Sequence, residues 1–172
     1  QVDLPEDGAH YVERMKNRTE HLTVLTEELF RYSVLLSEGK EPAKKPVVLN
    51  AALEESVAGF YAVLTERGIE PRIHMPQEKV VRLLDASALA RVFSNLLNNA
   101  VKYSDGDLEI ELNEEGEITF SNSAKELDEV QVGRLFDRFY SVENARNSTG
   151  LGLSIARALA EQMGGKISAV YA

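Results

Sequence analysis

The segment Asn95-Leu-Leu-Asn-Asn-Ala-Val-Lys-Tyr103 has the apolar pattern of a helix, yet it carries two amides and an ammonium on one face. At about 100° per residue, Asn95, Asn99 and Lys102 share one stripe. The neighbouring stripe is apolar and must face a core; it consists of Leu89, Val92, Phe93, Leu96 and Ala100. Asparagine is a poor helix former, so two of them beside a core require an explanation.

Two explanations fit this polar stripe. Amide oxygens and one fixed ammonium group suit a hydrated Mg²⁺ ion and the phosphates that it carries. A solvated polar face is the more common explanation when such a pattern stands alone. A second motif, further along the chain, favours the phosphate explanation.

That motif is Ser148-Thr-Gly-Leu-Gly-Leu-Ser154, which opens a strongly periodic helix predicted over residues 150–163. Glycines at a helix start let a polyphosphate approach the free N–H groups, and the helix dipole favours the anion. Glycine before a helix is also often only a turn. Together with the Asn stripe, however, the motif predicts one site that holds a triphosphate from two sides.

The segment between the two motifs begins with Leu135-Phe-Asp-Arg-Phe-Tyr140. Clustered aromatic residues normally belong to a core, so we expect Phe136 and Phe139 to be buried. The polar run that follows has no helix or strand pattern and is typical of a loop that closes over a ligand. Arg146 in this run is the candidate to reach a terminal phosphate, although an exposed loop arginine usually has no such role.

Composition excludes several classes of protein. The chain has 172 residues, of which 44% are hydrophobic, enough for one domain with a small appendage. A net charge of −9 argues against a nucleic-acid partner, but not against a locally positive nucleotide pocket. Without cysteine and with only three scattered histidines, the sequence offers no thiolate or zinc site. There is no bilayer-spanning apolar run or signal peptide, and the start at Gln1 leads us to expect a piece of a longer protein.

Residues 5–38 are predicted to form one long helix with heptad-like spacing. One register consists of Met15, Leu22, Leu29 and Leu36, and a second of Tyr11, Leu25 and Tyr32. Such a helix favours partner helices, while an ordinary amphipathic helix packed on its own domain remains the alternative. The prolines and charges that follow predict a linker, so we divide the chain into residues 1–39, a linker at 40–46 and a domain at 47–172.

The second domain alternates strands and helices. Strands are predicted at 47–49, 71–75, 79–84 and 166–171, with a hairpin over 107–112 and 117–120. Helices are predicted at 51–67, with Asn50 as N-cap and Gly68 as the stop, from Asp85 to about Tyr103, and within 128–140. The predicted fold class is α+β: a two-layer α/β sandwich whose mixed, largely antiparallel sheet is covered by helices on one face, preceded by one long helix.

Three of these motifs, in this order, resemble those of the catalytic ATP-binding domain of bacterial two-component sensor histidine kinases. "NLLNNAVKYS" is similar to that family's N box, "LFDRFY" to its F box and "STGLGLSIA" to its second glycine box. The wider superfamily includes gyrase, the Hsp90 chaperone and the mismatch-repair protein MutL. The resemblance covers roughly residues 47–171.

The resemblance implies roles for individual residues. Asn99 would bind Mg²⁺ directly, Asn95 would support the metal and phosphates, and Lys102 would contact phosphate. Tyr103 would line the nucleotide pocket, and the glycines at 150 and 152 would shape the base of a lid over residues 142–149. The implied ATP-binding set is Asn95, Asn99, Lys102, Tyr103, Asn122, Arg146, Thr149, Gly150, Leu151, Gly152 and Leu153, with Asn99 and Asn95 at the metal.

The chain departs from the family at the first glycine box. Where the family has an Asp-x-Gly-x-Gly run, this sequence has Asn122-Ser-Ala-Lys-Glu126. Asn122 replaces the aspartate that receives the adenine amino group; its amide oxygen can accept that hydrogen bond without charge assistance. Both glycines of the box are absent.

The long helix resembles the second helix of the family's dimerisation and phosphotransfer hairpin. The first helix, which carries the phosphoacceptor histidine beside an acidic residue, is not in this sequence. None of His10, His21 and His74 has that motif. We therefore expect a fragment that binds ATP and Mg²⁺ but does not autophosphorylate, with no catalytic residue of its own.

The resemblance implies that the parent transfers the ATP γ-phosphate to a histidine and then to an aspartate on a response-regulator receiver domain. It also implies a homodimer through the hairpin helices and a cytoplasmic portion of a membrane-bound sensor. Two alternatives remain: a degenerate nucleotide-binding scaffold, suggested by the altered glycine box, and an anti-sigma-type serine kinase on the same fold.

Overall fold

The computed structural model describes residues 6–37, 44–125, 127–140 and 149–171. In chain order the elements are α1 Glu6–Ser37, β1 Lys45–Val48, α2 Leu49–Glu66, β2 Glu70–His74, β3 Val81–Leu84, α3 Ala86–Tyr103, β4 Asp107–Leu112, β5 Ile118–Ser121, α4 Glu129–Gly133 and α5 Gly152–Gln162. The first strand begins at Lys45, inside the range assigned above to a linker.

The described strands form two sheets. β1 and β3 pair antiparallel. β4 is the centre of the other sheet, parallel to β2 and antiparallel to β5. The mixed, largely antiparallel architecture confirms the predicted α+β class, although its strands are divided between two sheets.

One face of the three-stranded sheet is apolar and covered. Along β4, Leu108, Ile110 and Leu112 are buried, while the alternate residues carry carboxylates, as the two-residue period of a strand requires. The helices α2, α3 and α5 supply most of the remaining core. The largest fully buried side chains are Leu53, Leu64, Ile69, Leu97, Leu108, Ile110 and Leu151.

Helix α3 lies between α2 and α5 and contacts both. Leu89, Val92, Phe93 and Ala100 are buried, as predicted. Leu96 is only half-buried, whereas its neighbour Leu97 is fully buried. The apolar stripe of α3 is thus displaced from the prediction, because the helix is covered on two sides rather than one.

Asn50 is not the N-cap of α2, contrary to the prediction. The helix begins at Leu49, two residues before the predicted start, and its N-cap, Val48, makes no side-chain capping bond. The Asn50 amide instead donates to the carbonyl oxygens of Pro76 (3.1 Å) and Glu78 (3.3 Å) and accepts from the Val80 N–H (2.9 Å). Long-range bonds to the segment before β3 therefore replace the local capping bond that the sequence suggested.

The prediction of a strand at 166–171 is wrong. These residues have no regular structure and make no ladder with the described strands. Ile167 packs against the core, but Val170 and Tyr171 are exposed. Alternating apolar residues form a strand only where they pair with a neighbouring strand, and these residues pair with none of the described strands.

The long helix α1 is confirmed, with bounds within a residue of those predicted. Of its seam, Tyr11, Met15, Leu22 and Leu29 are exposed, while Leu25 is half-buried and packs against the core. The side chains of His21, Tyr32 and Leu36 lie outside the described residues. In the described residues no helix is long and apolar enough to cross a membrane.

Candidate functional site

Side chains stabilise both ends of helix α3. At its N-terminus the Asp85 carboxylate accepts hydrogen bonds from the N–H groups of Ser87 (2.9 Å) and Ala88 (3.0 Å). At its C-terminus Lys102 lies in the last turn, where a cation interacts favourably with the helix dipole. Between these ends, Asn95 and Asn99 are half-buried. The structure therefore presents both amides and the ammonium along one helix.

The start of α5 lies directly against the first of these amides. A Cβ placed on Gly152 would stand 3.5 Å from the Asn95 side-chain oxygen. The Asn95 amide nitrogen is buried and has no hydrogen-bond partner among the described residues. Leaving such a donor unpaired costs about 1–3 kcal/mol. A group that accepts a hydrogen bond from Asn95, as a phosphate oxygen does, would satisfy it.

Gly150 closes the base of the predicted lid. Its φ is +67°, and a Cβ there would stand 2.6 Å from the carbonyl carbon of Phe139 and 2.7 Å from the carbonyl oxygen of Tyr140. The Phe139 N–H donates to the Gly150 carbonyl oxygen at 3.0 Å. The described residues on either side of the lid are therefore in contact. Arg146 and the rest of 141–148 lie outside the described residues.

The burial predicted for Phe139 is wrong. This residue is 58% exposed and has a φ of +63°, which is uncommon for a residue with a side chain. Its backbone N–H is bonded to Gly150, and its ring is exposed rather than packed in the core. Phe136 is half-buried, with the Arg157 guanidinium carbon 5.9 Å from its ring centroid.

The residues around the second glycine have different environments. The Leu151 side chain is fully buried in the core, so it cannot face a ligand, and only its backbone is available. The Leu151 N–H donates to the Thr149 Oγ1 at 3.4 Å, and the buried Ser154 hydroxyl donates to the Leu151 carbonyl at 2.8 Å. Leu153 is half-buried. Leu151 therefore anchors the glycine turn rather than lining the site.

A cavity of about 360 Å³ opens at the C-terminal end of α3. Its lining residues are Lys102, Tyr103, Ser104, Asp105, Ala124, Lys125 and Leu127. Lys102 and Tyr103 were predicted as site residues, whereas Asp105 and Leu127 were not singled out. The turn between the predicted helix and hairpin was a signal for Asp105, but Leu127 has no sequence pattern that points to a cavity.

Asn122 follows β5 and is half-buried but does not line the cavity. Its amide nitrogen donates to the Ser123 carbonyl oxygen at 3.2 Å. With the nitrogen engaged in this way, the amide oxygen is the group left to accept a hydrogen bond, as the predicted role requires.

Asp107, at the start of β4, bonds to the segment after β5. Its carboxylate accepts hydrogen bonds from the Ser123 N–H and from the Ser123 hydroxyl, each at 2.8 Å. The Ser104 hydroxyl lies 3.4 Å from the same carboxylate. The Ser123 backbone and then hydroxyl bonds hold the pKa of Asp107 below its ordinary value of 3.8.

The described acidic residues and histidines do not gather into a group that could hold a metal ion. His10 is exposed on α1, and His74 lies 3.3 Å from Glu109 on the sheet. Protein ligands for a cation at this site would therefore be the amide oxygens of α3. Amide oxygens are suitable ligands for Mg²⁺, which usually keeps several waters and takes the rest of its ligands from phosphates.

Several known proteins are similar to this chain in sequence. Residues 84–170, just over half of the chain, match the family described as "Histidine kinase-, DNA gyrase B-, and HSP90-like ATPase". The chain is 29% identical over 172 residues to the sensor histidine kinase YcbM of Bacillus subtilis, covering 95% of this chain and 55% of that protein. It is 32% identical to the sensor protein VanSC of Enterococcus gallinarum, covering 92% of this chain and 46% of that protein.

The fold is similar to that of a solved structure, full-length ShkA in complex with AMPPNP. The TM-score is 0.70 at 20% identity, and the match covers 98% of this chain and 38% of that one. The chain spans about half the length of the curated relatives just described.

Proposed function

Because this chain belongs to the family of histidine kinase-, DNA gyrase B- and HSP90-like ATPases, we propose that it is the ATP-binding catalytic domain of a sensor histidine kinase. The observation that carries the proposal is the contact between Asn95 and Gly152, two motifs far apart in sequence. The Asn95 amide nitrogen is buried without a partner among the described residues, and the oxygen of the same amide lies beside a helix start whose N–H groups suit a polyphosphate.

Groups on α3 and at the start of α5 would each have a part in holding ATP. Asn95 would donate to a phosphate oxygen, and Lys102 would neutralise phosphate charge from the end of α3. Tyr103 would pack against the nucleotide in the cavity. The N–H groups at the start of α5 would face the phosphate chain. Positioning and charge neutralisation of this kind supply most of the rate in phosphoryl transfer.

Mg²⁺ would be held by Asn99, with support from Asn95, and would neutralise charge on the phosphate oxygens. The two half-buried amides on one face of α3 fit this ion, because their oxygens can serve as metal ligands. The described residues offer no carboxylate cluster that could do so instead. Asn99 would fix the ion, and Asn95 would orient the phosphates against the start of α5.

The whole protein would transfer the γ-phosphate of ATP to a histidine nitrogen and then to an aspartate on a response-regulator receiver domain. One curated relative is named a sensor histidine kinase and the other a sensor protein, which supports this relay. A homodimer formed through α1 and a second hairpin helix would cover the exposed seam of Tyr11, Met15, Leu22 and Leu29. This part of the protein would lie in the cytoplasm.

Nucleotide titration with millimolar Mg²⁺ tests the proposal. We expect saturable binding of ATP that is lost in Asn99→Ala, because the metal loses its direct ligand. Asn98→Ala, an exposed position on the same helix, is the matched control and should bind as the wild type does. Wild-type protein that fails to bind ATP would favour a degenerate scaffold instead.

The acid stability of the phosphorylated product distinguishes a histidine kinase from a serine kinase with the same fold. Incubation of the domain with ATP and a histidine-bearing hairpin should yield acid-labile phosphate, because phosphohistidine is hydrolysed in acid. Acid-stable phosphate on serine would contradict the proposal and support the anti-sigma-type alternative.

A further inference from the structure

The segment Ser123–Lys125 lies outside the helices and strands, yet the N–H groups of Ser123 and Lys125 are both hydrogen-bonded. β5 ends at Ser121, so the sheet does not hold these residues. Instead, the Ser123 N–H donates to the Asp107 carboxylate and the Lys125 N–H donates to the Asp105 carboxylate, each at 2.8 Å. The Asp105 N–H donates in return to the Ser123 carbonyl at 3.0 Å.

We call Asp105 and Asp107 the carboxylate clamp. Asp105 lies in the turn between α3 and β4, Asp107 is the first residue of β4, and both bind the same three-residue segment. Hydrogen bonds to an ionised acceptor are stronger than those between neutral groups. In addition, the hydroxyl of Ser104, the C-cap of α3, donates to the backbone carbonyl oxygen of Asp107 at 2.5 Å, which holds the start of β4 against the end of the helix.

The clamp joins the two walls of the cavity. Ser104 and Asp105 line it from the end of α3, and Ala124 and Lys125 line it from the segment after β5. The distance between these walls is set by the bonds that cross from one to the other. Loss of a clamp carboxylate would release Ala124 and Lys125 from their present position.

We infer that Asp105 and Asp107 are positioning residues for the nucleotide, holding Ser123–Lys125 against the end of α3 so that the cavity keeps its width. The inference rests on the proposed function. Asp107 acts through Ser123 and does not line the cavity, so its effect on binding is indirect.

The test compares nucleotide affinities of Asp107→Ala, Asp107→Asn and Glu109→Ala by calorimetric titration with ATP and Mg²⁺. We expect about tenfold weaker binding for Asp107→Ala, because two charge-assisted bonds are lost. Asp107→Asn should recover most of the affinity, since its amide oxygen still accepts from the Ser123 N–H. Glu109→Ala, a carboxylate on the same face of β4 that pairs with His74, should leave the affinity unchanged.

Amide hydrogen exchange gives a local readout. Exchange at Ser123 and Lys125 should accelerate in Asp107→Ala and stay at the wild-type rate in Glu109→Ala. Should Asp107→Ala fail to fold, Ser123→Ala removes only the hydroxyl bond to the carboxylate and should weaken binding about threefold.

Two results would overturn the inference, and they are distinguishable. If Asn99→Ala abolishes binding while Asp107→Ala, or Ser123→Ala in its place, binds ATP as tightly as the wild type, the clamp has no positioning role and the proposed function stands. If the wild type does not bind ATP at all, the proposed function fails and the inference fails with it.

Discussion

At the scale of single residues, the site depends on one glycine. Gly150 has a left-handed backbone and leaves no room for a Cβ beside Phe139 and Tyr140. We expect Gly150→Ala to lower the free energy of unfolding by more than about 1–2 kcal/mol, the cost of the backbone conformation alone. Denaturant unfolding measures this change.

Gly133→Ala is the control for that substitution. Gly133 is helical, and a Cβ there meets nothing within 4 Å. We expect this variant to be neutral or more stable by about 0.4–1 kcal/mol. Equal unfolding midpoints for the two variants would show that the contact between Gly150 and Phe139 is not needed for stability.

The Asp107 carboxylate makes stability depend on pH. Its pKa lies below 3.8 in the folded state because Ser123 donates two hydrogen bonds to the ionised form. The stabilisation is therefore fully present above the unfolded-state pKa and is lost as pH falls through the lower folded-state pKa. In an acid titration of the unfolding free energy, Asp107→Asn should show a smaller loss below about pH 3.8 than the wild type. Identical acid profiles would contradict this account.

At the scale of elements, α3 holds the site because it is anchored on two sides. Leu97 is fully buried between the neighbouring elements, whereas Leu96 is half-buried. We expect Leu97→Ala to reduce the free energy of unfolding by about 2–5 kcal/mol and Leu96→Ala to reduce it by less. Denaturant unfolding of the pair measures the difference, and the reverse order would mean that α3 has a different rotation about its axis.

At the scale of the whole molecule, we expect the chain to bind nucleotide without transferring phosphate to any of its own histidines. None of His10, His21 and His74 has an adjacent acidic residue on its C-terminal side, as an activated nucleophile in this family would. We expect γ-labelled ATP to leave all three unlabelled while the nucleotide binds. Stoichiometric label on any of them, located by peptide mapping, would contradict the prediction.

Much of the secondary structure of this molecule is determined by residues that are close together in the sequence. The Asp85 cap, the long helix α1, the hairpin of β4 and β5, and the stop at Gly68, with its φ of +70°, were all predicted. Each depends on periodicity, capping or turn chemistry, and these act over a few residues. The order of the three motifs was sufficient to predict the family.

Only the tertiary structure decided how those elements meet. Asn95 lies against Gly152, and Asp107 bonds to Ser123, although the members of each pair are distant in sequence. The exposure of Phe139 was likewise not evident from its local sequence. The same holds for Asn50, which bonds across to the segment before β3 instead of capping its helix. Local patterns specify which groups a helix or strand presents, but the partner of each group depends on packing between distant segments, which no short stretch of sequence encodes.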